Sequence, residues 1–371
     1  MSDVLSLRAL NRATLARQLL LARDDRGILD AVHHLVGLQA QVPSNPYLAL
    51  WSRLAGFVPD DLGQLLVDRK VVRITVMRGT IHLVTADDAL VLRPLMQPVL
   101  DAEIARHRDY APALRDVDLD AVLAFARTLL GERPYNGAQL RAALVERFPD
   151  HDAAAVAYAC RCRLALVQVP PRGLWRRSGQ VAVTTAEAWL GAPLATNPSI
   201  DEVVLRYVGA FGPATTADVA AWSRLTGLGE VVERLRPHLR PFHDERGREL
   251  FDLSDAPRPD PDTPAPPRFL PEYDNAMLSH ADRTRFVSAE HRGWLFATPA
   301  PVHGSVLHDG LLVGTWSIER SAETRRLVVR PVVRLAKRAT AAMQAEGRRM
   351  LRFLEPDVRP EELDVRFDQA P

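Results

Sequence analysis

The sequence predicts an α+β protein with three winged-helix units in tandem and a smaller, strand-rich domain at the C-terminus. Two observations support this prediction. Short helical segments closed by a β-hairpin occur three times, at a spacing of roughly 90 residues. Beyond a proline-rich stretch at 257–267, the pattern changes to short strands separated by glycine turns. The predicted units span 1–110, 111–198 and 199–256, and the C-terminal domain spans 268–371.

The composition is that of a globular protein. Of the 371 residues, 47% are hydrophobic and 25% are charged, which excludes a disordered or collagen-like chain. Apolar runs such as 121–126 are far shorter than the roughly 20 residues that a membrane span requires. The N-terminus lacks the basic and apolar regions of a signal peptide. The only cysteines are Cys160 and Cys162, so a disulfide framework is excluded and a cytoplasmic protein is expected.

The charge is nearly balanced. A net charge of +1, on 47 basic and 46 acidic residues, is not that of a generic polyanion binder. Any contact with nucleic acid must therefore use a local basic surface.

The first unit is predicted from a capped helix, three further helices and a hairpin. Ser6 can cap the first helix, which runs to about residue 21 with apolar residues at helical spacing. The stretch QVPSNP at 41–46, with two prolines and an asparagine, ends the second helix. Two β-rich runs, 71–76 and 80–84, are joined by 77–79 and form the hairpin. The other helices are predicted over 28–38, 47–54 and 60–68.

The same pattern is predicted twice more. Thr215 can cap the clearest helix-turn-helix element, TTADVAAWSRL at 215–225, in which small residues and Trp222 allow close packing. The turn of the second hairpin is PPRG at 170–173. The second unit is predicted to have helices over 119–130, 137–148 and 152–164 and strands over 165–169 and 174–176. The third is predicted to have helices over 200–211, 216–223 and 229–235 and strands near 239–243 and 249–252.

The rest of the chain is predicted to be a linker and a β-rich domain. The stretch 256–267, APRPDPDTPAPP, predicts an extended, semi-rigid linker. The runs beyond it predict a small β-barrel or sandwich with one helix against it. Strands are predicted over 293–297, 304–307, 311–319, 326–333 and 363–367, and the helix over 336–353.

Common enzyme signatures are absent from the sequence. It contains no phosphate-binding GxxxxGK[ST], no GxGxxG after a strand, no HExxH and no GxSxG. Cys160 and Cys162 are two apart on a predicted helix, and no second Cys/His pair has finger spacing, which argues against zinc. We therefore expect no metal and no cofactor.

Two polar segments in the first unit are candidates for a site. In GLQAQVPSNPY at 37–47, two glutamines flank one alanine at the end of an apolar helix, which polar capping near a proline break would also explain. In VMRGTIHLVT at 76–85, strand alternation places Arg78, Thr80 and His82 on one face of the hairpin. A solvated strand face would explain that pattern as well.

A third polar segment follows the linker. In RFLPEYDNAMLSHADRTR at 268–285, Tyr273 is predicted to be buried beside Asp274, ahead of a charged stretch. The segment could form a domain interface or a loop that faces DNA, and the pattern favours the interface.

Taken in order, these segments resemble the AlkZ-like DNA glycosylases, a family of bacterial winged-helix proteins. The resemblance rests on SLRALNRATLARQLL, HLVGLQAQVPSNPY, RGTIHLVTADD, FLPEYDNAMLSHADR and GTWSIER, which extend over nearly the full length. It implies three tandem winged-helix units that form a concave DNA-binding surface, with a C-terminal β-barrel. It also implies that the family's catalytic Gln-x-Gln motif is Gln39 and Gln41, with Ala40 smaller than the usual aliphatic residue between them. Some relatives carry an acid at the second position.

The resemblance also implies an activity: excision of alkylated purines from DNA, with some members unhooking interstrand crosslinks. Because a 7-alkylguanine is already cationic, its glycosidic bond is weakened and the leaving base needs no general acid. We expect the carbonyls of Gln39 and Gln41 to orient the attacking water and to favour positive charge on the sugar. The residues expected to contact DNA are Arg78, Thr80, His82 and Asn45.

A monofunctional enzyme is expected. A glycosylase–lyase needs an amine nucleophile, and besides its N-terminus the chain has only Lys70 and Lys337. The expected partner is double-stranded DNA containing alkylated purines, in DNA repair or in self-resistance to a genotoxic product. We expect no membrane association and no obligate protein partner. The protein is predicted to be a cytoplasmic monomer, associated with the nucleoid when bound to DNA.

Two alternative functions are compatible with the residue patterns. A winged-helix protein can be a non-enzymatic DNA-binding regulator or a sequestering resistance protein, although a repressor commonly has one unit per subunit and dimerises. A structural or interaction protein with degenerate winged helices would bind DNA weakly and without salt dependence. Release of a free alkylated base distinguishes the enzyme from both.

Overall fold

The computed structural model describes residues 4–291, 303–321 and 324–369. These ranges contain both helices and strands, in runs of each, which confirms a mixed α+β class. The strand predicted over 293–297 lies outside the described residues. No helix in the described part of the chain is long and apolar enough to cross a membrane.

The N-terminal segment, residues 4–110, contains helices on both sides of a hairpin. Ser6 caps its first helix, as predicted, by accepting a hydrogen bond from the Ala9 amide at 3.1 Å. The second helix is shorter than predicted because the chain turns at Gly37 (φ 86°) and enters a strand. Three helices after the hairpin were not predicted. The elements are β1 (Val4–Leu5), α1 (Leu7–Arg17), α2 (Ile28–His34), β2 (Leu38–Gln39), α3 (Asn45–Arg53), α4 (Pro59–Val67), β3 (Val71–Thr75), β4 (Ile81–Thr85), α5 (Ala86–Leu95), α6 (Gln97–Arg106) and α7 (Tyr110–Ala113).

The second segment, residues 111–198, has its hairpin in a different place from the one predicted. The strand predicted over 174–176 is wrong, because Leu174 and Trp175 pack into the apolar core of the N-terminal segment beside Tyr47. The true partner strand begins at Ala182. The elements are α8 (Leu119–Glu132), β5 (Tyr135–Asn136), α9 (Gly137–Arg147), α10 (Ala153–Arg163), β6 (Leu166–Gln168), β7 (Ala182–Thr185) and α11 (Ala186–Leu190).

The strands of these two segments form one six-stranded sheet, in the order β2-β4-β3-β6-β7-β5. At the junction β3 and β6 are antiparallel, with Arg73 opposite Gln168. The face that carries these two residues packs against the core of the N-terminal segment at one end and the core of the second segment at the other. A cleft between the two segments therefore has the shared sheet as its floor.

The third segment, residues 199–256, packs against the opposite face of this sheet through a core that includes Ile74, Val84, Tyr207 and Trp222. Thr215 caps its second helix with a reciprocal capping box, as its sequence indicates. The N-terminal strand β1 extends the hairpin of this segment by parallel pairing. The elements are α12 (Ile200–Phe211), α13 (Thr216–Ser223), α14 (Leu228–Leu235), β8 (Arg240–Asp244) and β9 (Glu249–Asp252).

The proline-rich stretch 256–267 contacts the N-terminal helix. Arg17 donates to the carbonyl of Pro257 at 3.3 Å, and Arg12 donates to that of Thr263 at 2.7 Å. Both arginines are almost fully buried. The stretch is therefore anchored to α1 along one side, while its residues stay exposed or half-buried.

The C-terminal region, from residue 268, contains an open sheet. Its strands are in the order β10-β11-β12-β13-β14, so among the described residues β10 and β14 are free edges. The predicted barrel is thus not formed by these strands, because the predicted single helix covers the sheet with Met343, Met350 and Leu351. The elements are β10 (Arg268–Leu270), α15 (Asn275–Leu278), β11 (Gly304–His308), β12 (Leu311–Arg320), β13 (Arg325–Pro331), α16 (Lys337–Leu354) and β14 (Leu363–Phe367).

Candidate active site

Gln39 and Gln41 are separated by a buried alanine. Gln39 lies in β2 opposite His82 of β4, and the Ala40 amide donates to the Ile81 carbonyl at 2.7 Å. Ala40 is fully buried in the core of the N-terminal segment. The apolar middle residue is thus a core residue. Gln39 is only 8% exposed, whereas Gln41 lies at the surface.

Arg78 places a cation against Gln39. It occupies a left-handed turn (φ 59°) between the hairpin strands and is buried. Its Nη2 donates to Gln39 Oε1 and to Asn275 Oδ1, each at 2.8 Å, and its Nη1 donates to the Trp222 carbonyl at 3.1 Å. Because burial disfavours the cation, the pKa of Arg78 is lowered to about 10, and the guanidinium stays charged at neutral pH.

His82 lies beside Arg78 as a neutral ring. It is fully buried, and its Nδ1 is 3.0 Å from the Thr80 carbonyl, which can only accept. Nδ1 therefore carries the proton, and Nε2 is an unprotonated nitrogen 3.2 Å from Arg78 Nη2, whose two hydrogens go to Gln39 and Asn275. Burial, together with the charge of Arg78, lowers the pKa of His82 to about 3.

Asn275 connects this cluster to the C-terminal region. Its Nδ2 donates to the Gly37 carbonyl at 3.0 Å, while its Oδ1 accepts from Arg78. The preceding Asp274 forms a buried, two-pronged ion pair with Arg53, at 2.7 and 2.8 Å. The segment 268–285 is therefore an interface, as its pattern favours. Asn275 lies in the segment FLPEYDNAMLSHADR, which carries part of the family resemblance, but it was not predicted as a site residue.

The remaining predicted residues bond to other parts of the protein. The Asn45 amide donates to the Glu272 carbonyl at 2.8 Å, and the Thr80 hydroxyl donates to the Met77 carbonyl at 3.1 Å. Strand alternation does not group Thr80 with Arg78, because β4 begins only at Ile81. Contact of Arg78, Thr80, His82 and Asn45 with DNA stays a prediction, and in this structure their polar groups bind protein atoms.

Gln41 lines the cleft between the first two segments. The cleft has a volume of about 540 Å³. Arg141 of α9 and Arg161 of α10 also line it; both are exposed, and neither forms an ion pair among the described residues. The wall also includes the aromatic rings of Tyr110 and Tyr158. The arrangement can hold a flat, apolar group with anionic neighbours.

Arg73 supports the motif from below and was missed by the sequence analysis. Its Nη2 donates to the Ala40 carbonyl at 2.9 Å, and its side chain is buried. Burial lowers its pKa to about 10. Gly173 lies so close that a Cβ there would be 2.9 Å from Arg73 Cδ. An arginine inside the apolar run VVRITV was the available signal.

The described residues include no group of three or more His, Cys, Asp or Glu side chains that could hold a metal ion. Cys160 and Cys162 are buried in α10, and burial raises the pKa of the Cys160 thiol to about 12. These thiols are therefore poor ligands and poor nucleophiles.

Comparisons with curated proteins and with solved structures each find similarity to a DNA glycosylase of Streptomyces sahachiroi. The interstrand DNA cross-link repair glycosylase of that organism is 26% identical over 363 residues, which cover 89% of this chain and 94% of that protein. The solved structure of S. sahachiroi DNA glycosylase AlkZ has the same fold, with a TM-score of 0.80 at 22% identity. The match covers 98% of this chain and 100% of that chain.

A sequence profile identifies the class of protein. The profile of the AlkZ-like DNA glycosylases matches residues 32–353, which is most of the chain. The protein is a DNA glycosylase. Within that class, the chain belongs to the AlkZ-like family.

Proposed function

We propose that the protein is a monofunctional glycosylase that hydrolyses the N-glycosidic bond of cationic alkylated purines, with Gln39 and Gln41 as its catalytic residues. The observation that carries the proposal is the position of Gln41 on the wall of the arginine-lined cleft, two residues from the buried Gln39. An amide is too weak a base to deprotonate the attacking water, so an undamaged purine, which is a poor leaving group, should be a poor substrate.

The structure changes one part of the expected chemistry. Gln39 Oε1 accepts from the Arg78 cation and is poorly suited to stabilise a second positive charge. The carbonyl of Gln41 is therefore the better group to orient water near the anomeric carbon. The Ile81 amide donates to this oxygen at 3.5 Å, a long hydrogen bond that leaves the oxygen weakly bonded.

The absence of lyase activity is supported by the positions of the lysines. Lys70 is exposed beside a different surface depression, and Lys337 begins α16. Neither lysine is among the residues that line the cleft with Gln41. Base release should therefore leave an abasic site and no Schiff base.

The substrate range is proposed from the cleft and the relative. A volume of about 540 Å³ is larger than a purine alone needs and lies within the range of small-molecule sites. The S. sahachiroi relative is named for interstrand cross-link repair. We therefore include bulky 7-alkylguanine adducts and crosslinks among the substrates, in repair or in self-resistance.

The DNA partner is proposed to lie across the concave side formed by the three segments, taken as winged-helix units. Arg141 and Arg161 line the same cleft as Gln41, form no ion pair with the residues that the structure describes, and suit phosphate contacts. One chain supplies all three segments that would contact one duplex. A monomer without an obligate protein partner, bound to DNA at the nucleoid, is therefore the simplest assembly.

The test is release of free base from duplex DNA that contains 7-methylguanine. The proposal predicts release without a covalent adduct after borohydride treatment. Release from undamaged guanine, or a trapped adduct, would contradict it. Binding to a palindromic site without any base release would favour the regulator instead.

A further inference from the structure

The Gln39 amide has one orientation that suits its neighbour. A guanidinium only donates hydrogen bonds, so the Gln39 atom 2.8 Å from Arg78 Nη2 is Oε1. The Asn275 amide is oriented in the same way, because its oxygen accepts from Arg78 and its nitrogen donates to Gly37. The neutral His82 ring cannot donate a hydrogen bond to either amide oxygen, since its one N–H proton bonds to the Thr80 carbonyl.

The nitrogen end of the Gln39 amide differs from the oxygen end. Its Nε2 has no hydrogen-bond partner among the described residues. It is also not among their fully buried, unpartnered polar atoms, although the side chain is only 8% exposed. The NH2 group is therefore the part of Gln39 that can reach a ligand.

We infer that Arg78 is a positioning residue that holds Gln39 with its NH2 group toward the substrate, so that Gln39 donates a hydrogen bond to the leaving purine. This inference rests on the proposed function. In the reaction, the bond from C1′ to N9 breaks with its electron pair on the base, and water adds to C1′ and releases a proton to solvent. Electron density rises on the purine ring, where N3 and O6 accept hydrogen bonds. A donor aimed at the ring favours that change.

This arrangement divides the work between the two amides. Gln41 presents its oxygen to the water and the sugar, and Gln39 presents its nitrogen to the base. The donor end of Gln39 would also prefer a ring that carries acceptors, which is a purine feature. Asn275 and the Trp222 carbonyl hold Arg78 from the other side, so the orientation depends on the C-terminal region and the third segment.

The deciding variant is Gln39→Glu. Its carboxylate keeps the bond to Arg78 but has no NH2 group, so base release from 7-methylguanine DNA should fall to within about tenfold of Gln39→Ala. If the Gln39 carbonyl were instead the catalytic group, a carboxylate would be the stronger acceptor. Base release by Gln39→Glu would then exceed that by Gln39→Ala by more than about tenfold. That result would overturn the inference. Gln64→Glu, on the exposed face of α4, is the matched control and should behave as wild type.

A second variant separates positioning from DNA contact. Arg78→Lys keeps the positive charge but loses the planar guanidinium, which bonds to several acceptors at once. It should lower kcat about tenfold or more, with KM for DNA changed less than about threefold. A phosphate contact would instead raise KM and flatten the salt dependence of binding. The second pattern would contradict the positioning role.

An NMR measurement on the free protein tests the orientation of Gln39 without relying on activity. The side-chain amide signals of Gln39 are identified by their loss in Gln39→Ala. They should move in Arg78→Met and stay in place in Arg115→Met, which changes an exposed arginine. Unchanged Gln39 signals in Arg78→Met would overturn the inference. A wild-type protein that releases no base would instead count against the proposed function.

Discussion

Gln39 and Gln41 have the same side chain but different surroundings. Gln39 is buried against a cation and a neutral imidazole, whereas Gln41 is exposed on the cleft wall. The pattern of two glutamines around an apolar residue could be recognised from the sequence. The difference between them could not, because it depends on Arg78 and on its partner Asn275, 197 residues along the chain. Arg78 was selected from the hairpin as a DNA contact, which stays a prediction, and its burial was not predicted.

The buried histidine makes stability depend on pH. His82 is neutral in the fold with its pKa lowered to about 3, and Arg78 is the charge that faces it. In the unfolded chain its pKa is about 6.5. Between these values the unfolded state binds more protons, so stability falls as the pH drops below about 6.5. The slope for this residue approaches about 1.4 kcal/mol per pH unit.

Urea unfolding between pH 7 and pH 5 measures this effect. His82→Gln should flatten the dependence by about that slope, whereas Gln64→Ala, a non-titrating change on the exposed face of α4, should keep the wild-type slope. An unchanged slope in His82→Gln would show that the ring does not stay neutral in the fold.

At the scale of elements, the local signals were sufficient where capping and periodicity agreed. Helices α12 and α13 and strand β9 have the predicted bounds, and Ser6 and Thr215 cap as expected. The predictions failed where tertiary contacts decide. Trp175 has strand-like neighbours but packs on Tyr47, and Leu38 continues a helical pattern but pairs with Leu83 of β4.

The segment around α15 holds the C-terminal region against the site. Asp274 caps α15 and pairs with Arg53, and both side chains are 1% exposed. Asp274→Asn would leave the buried arginine without its counter-charge, so it should lower the free energy of unfolding by about 3–5 kcal/mol. Urea unfolding at neutral pH measures this change.

The control for this pair is an exposed one. Glu362→Gln removes one of the two acidic partners of Arg359, whose side chain is 73% exposed, and should cost less than about 1 kcal/mol. If Asp274→Asn cost no more than the control, the buried pair would not hold this segment in place.

At the scale of the whole molecule, the site is built from three parts of the chain. Gln39 and Arg78 come from the N-terminal segment, the Trp222 carbonyl comes from the third, and Asn275 comes from the C-terminal region. The sequence predicted the repeated pattern but not the joining of two hairpins into one sheet. That joining creates the cleft, and strand pairing between distant segments leaves no local signal in the sequence.

The charge on the cleft wall predicts the salt dependence of DNA binding. Arg141→Ala and Arg161→Ala should each weaken binding across sequences and reduce the slope of log K against log salt by about 1. The control is Arg115→Ala, an exposed arginine that does not line the cleft. Fluorescence anisotropy with duplex DNA over a range of salt concentrations measures the slopes. Unchanged slopes in both cleft variants would place the duplex elsewhere.

The most direct test of the catalytic assignment compares base release by wild type, Gln39→Ala, Gln41→Ala and Gln64→Ala on 7-methylguanine DNA. We predict release by wild type and by Gln64→Ala, and a loss of about 10²- to 10³-fold in each of the other two, with their unfolding transitions retained. Release at the wild-type rate by folded Gln39→Ala or Gln41→Ala would contradict the assignment.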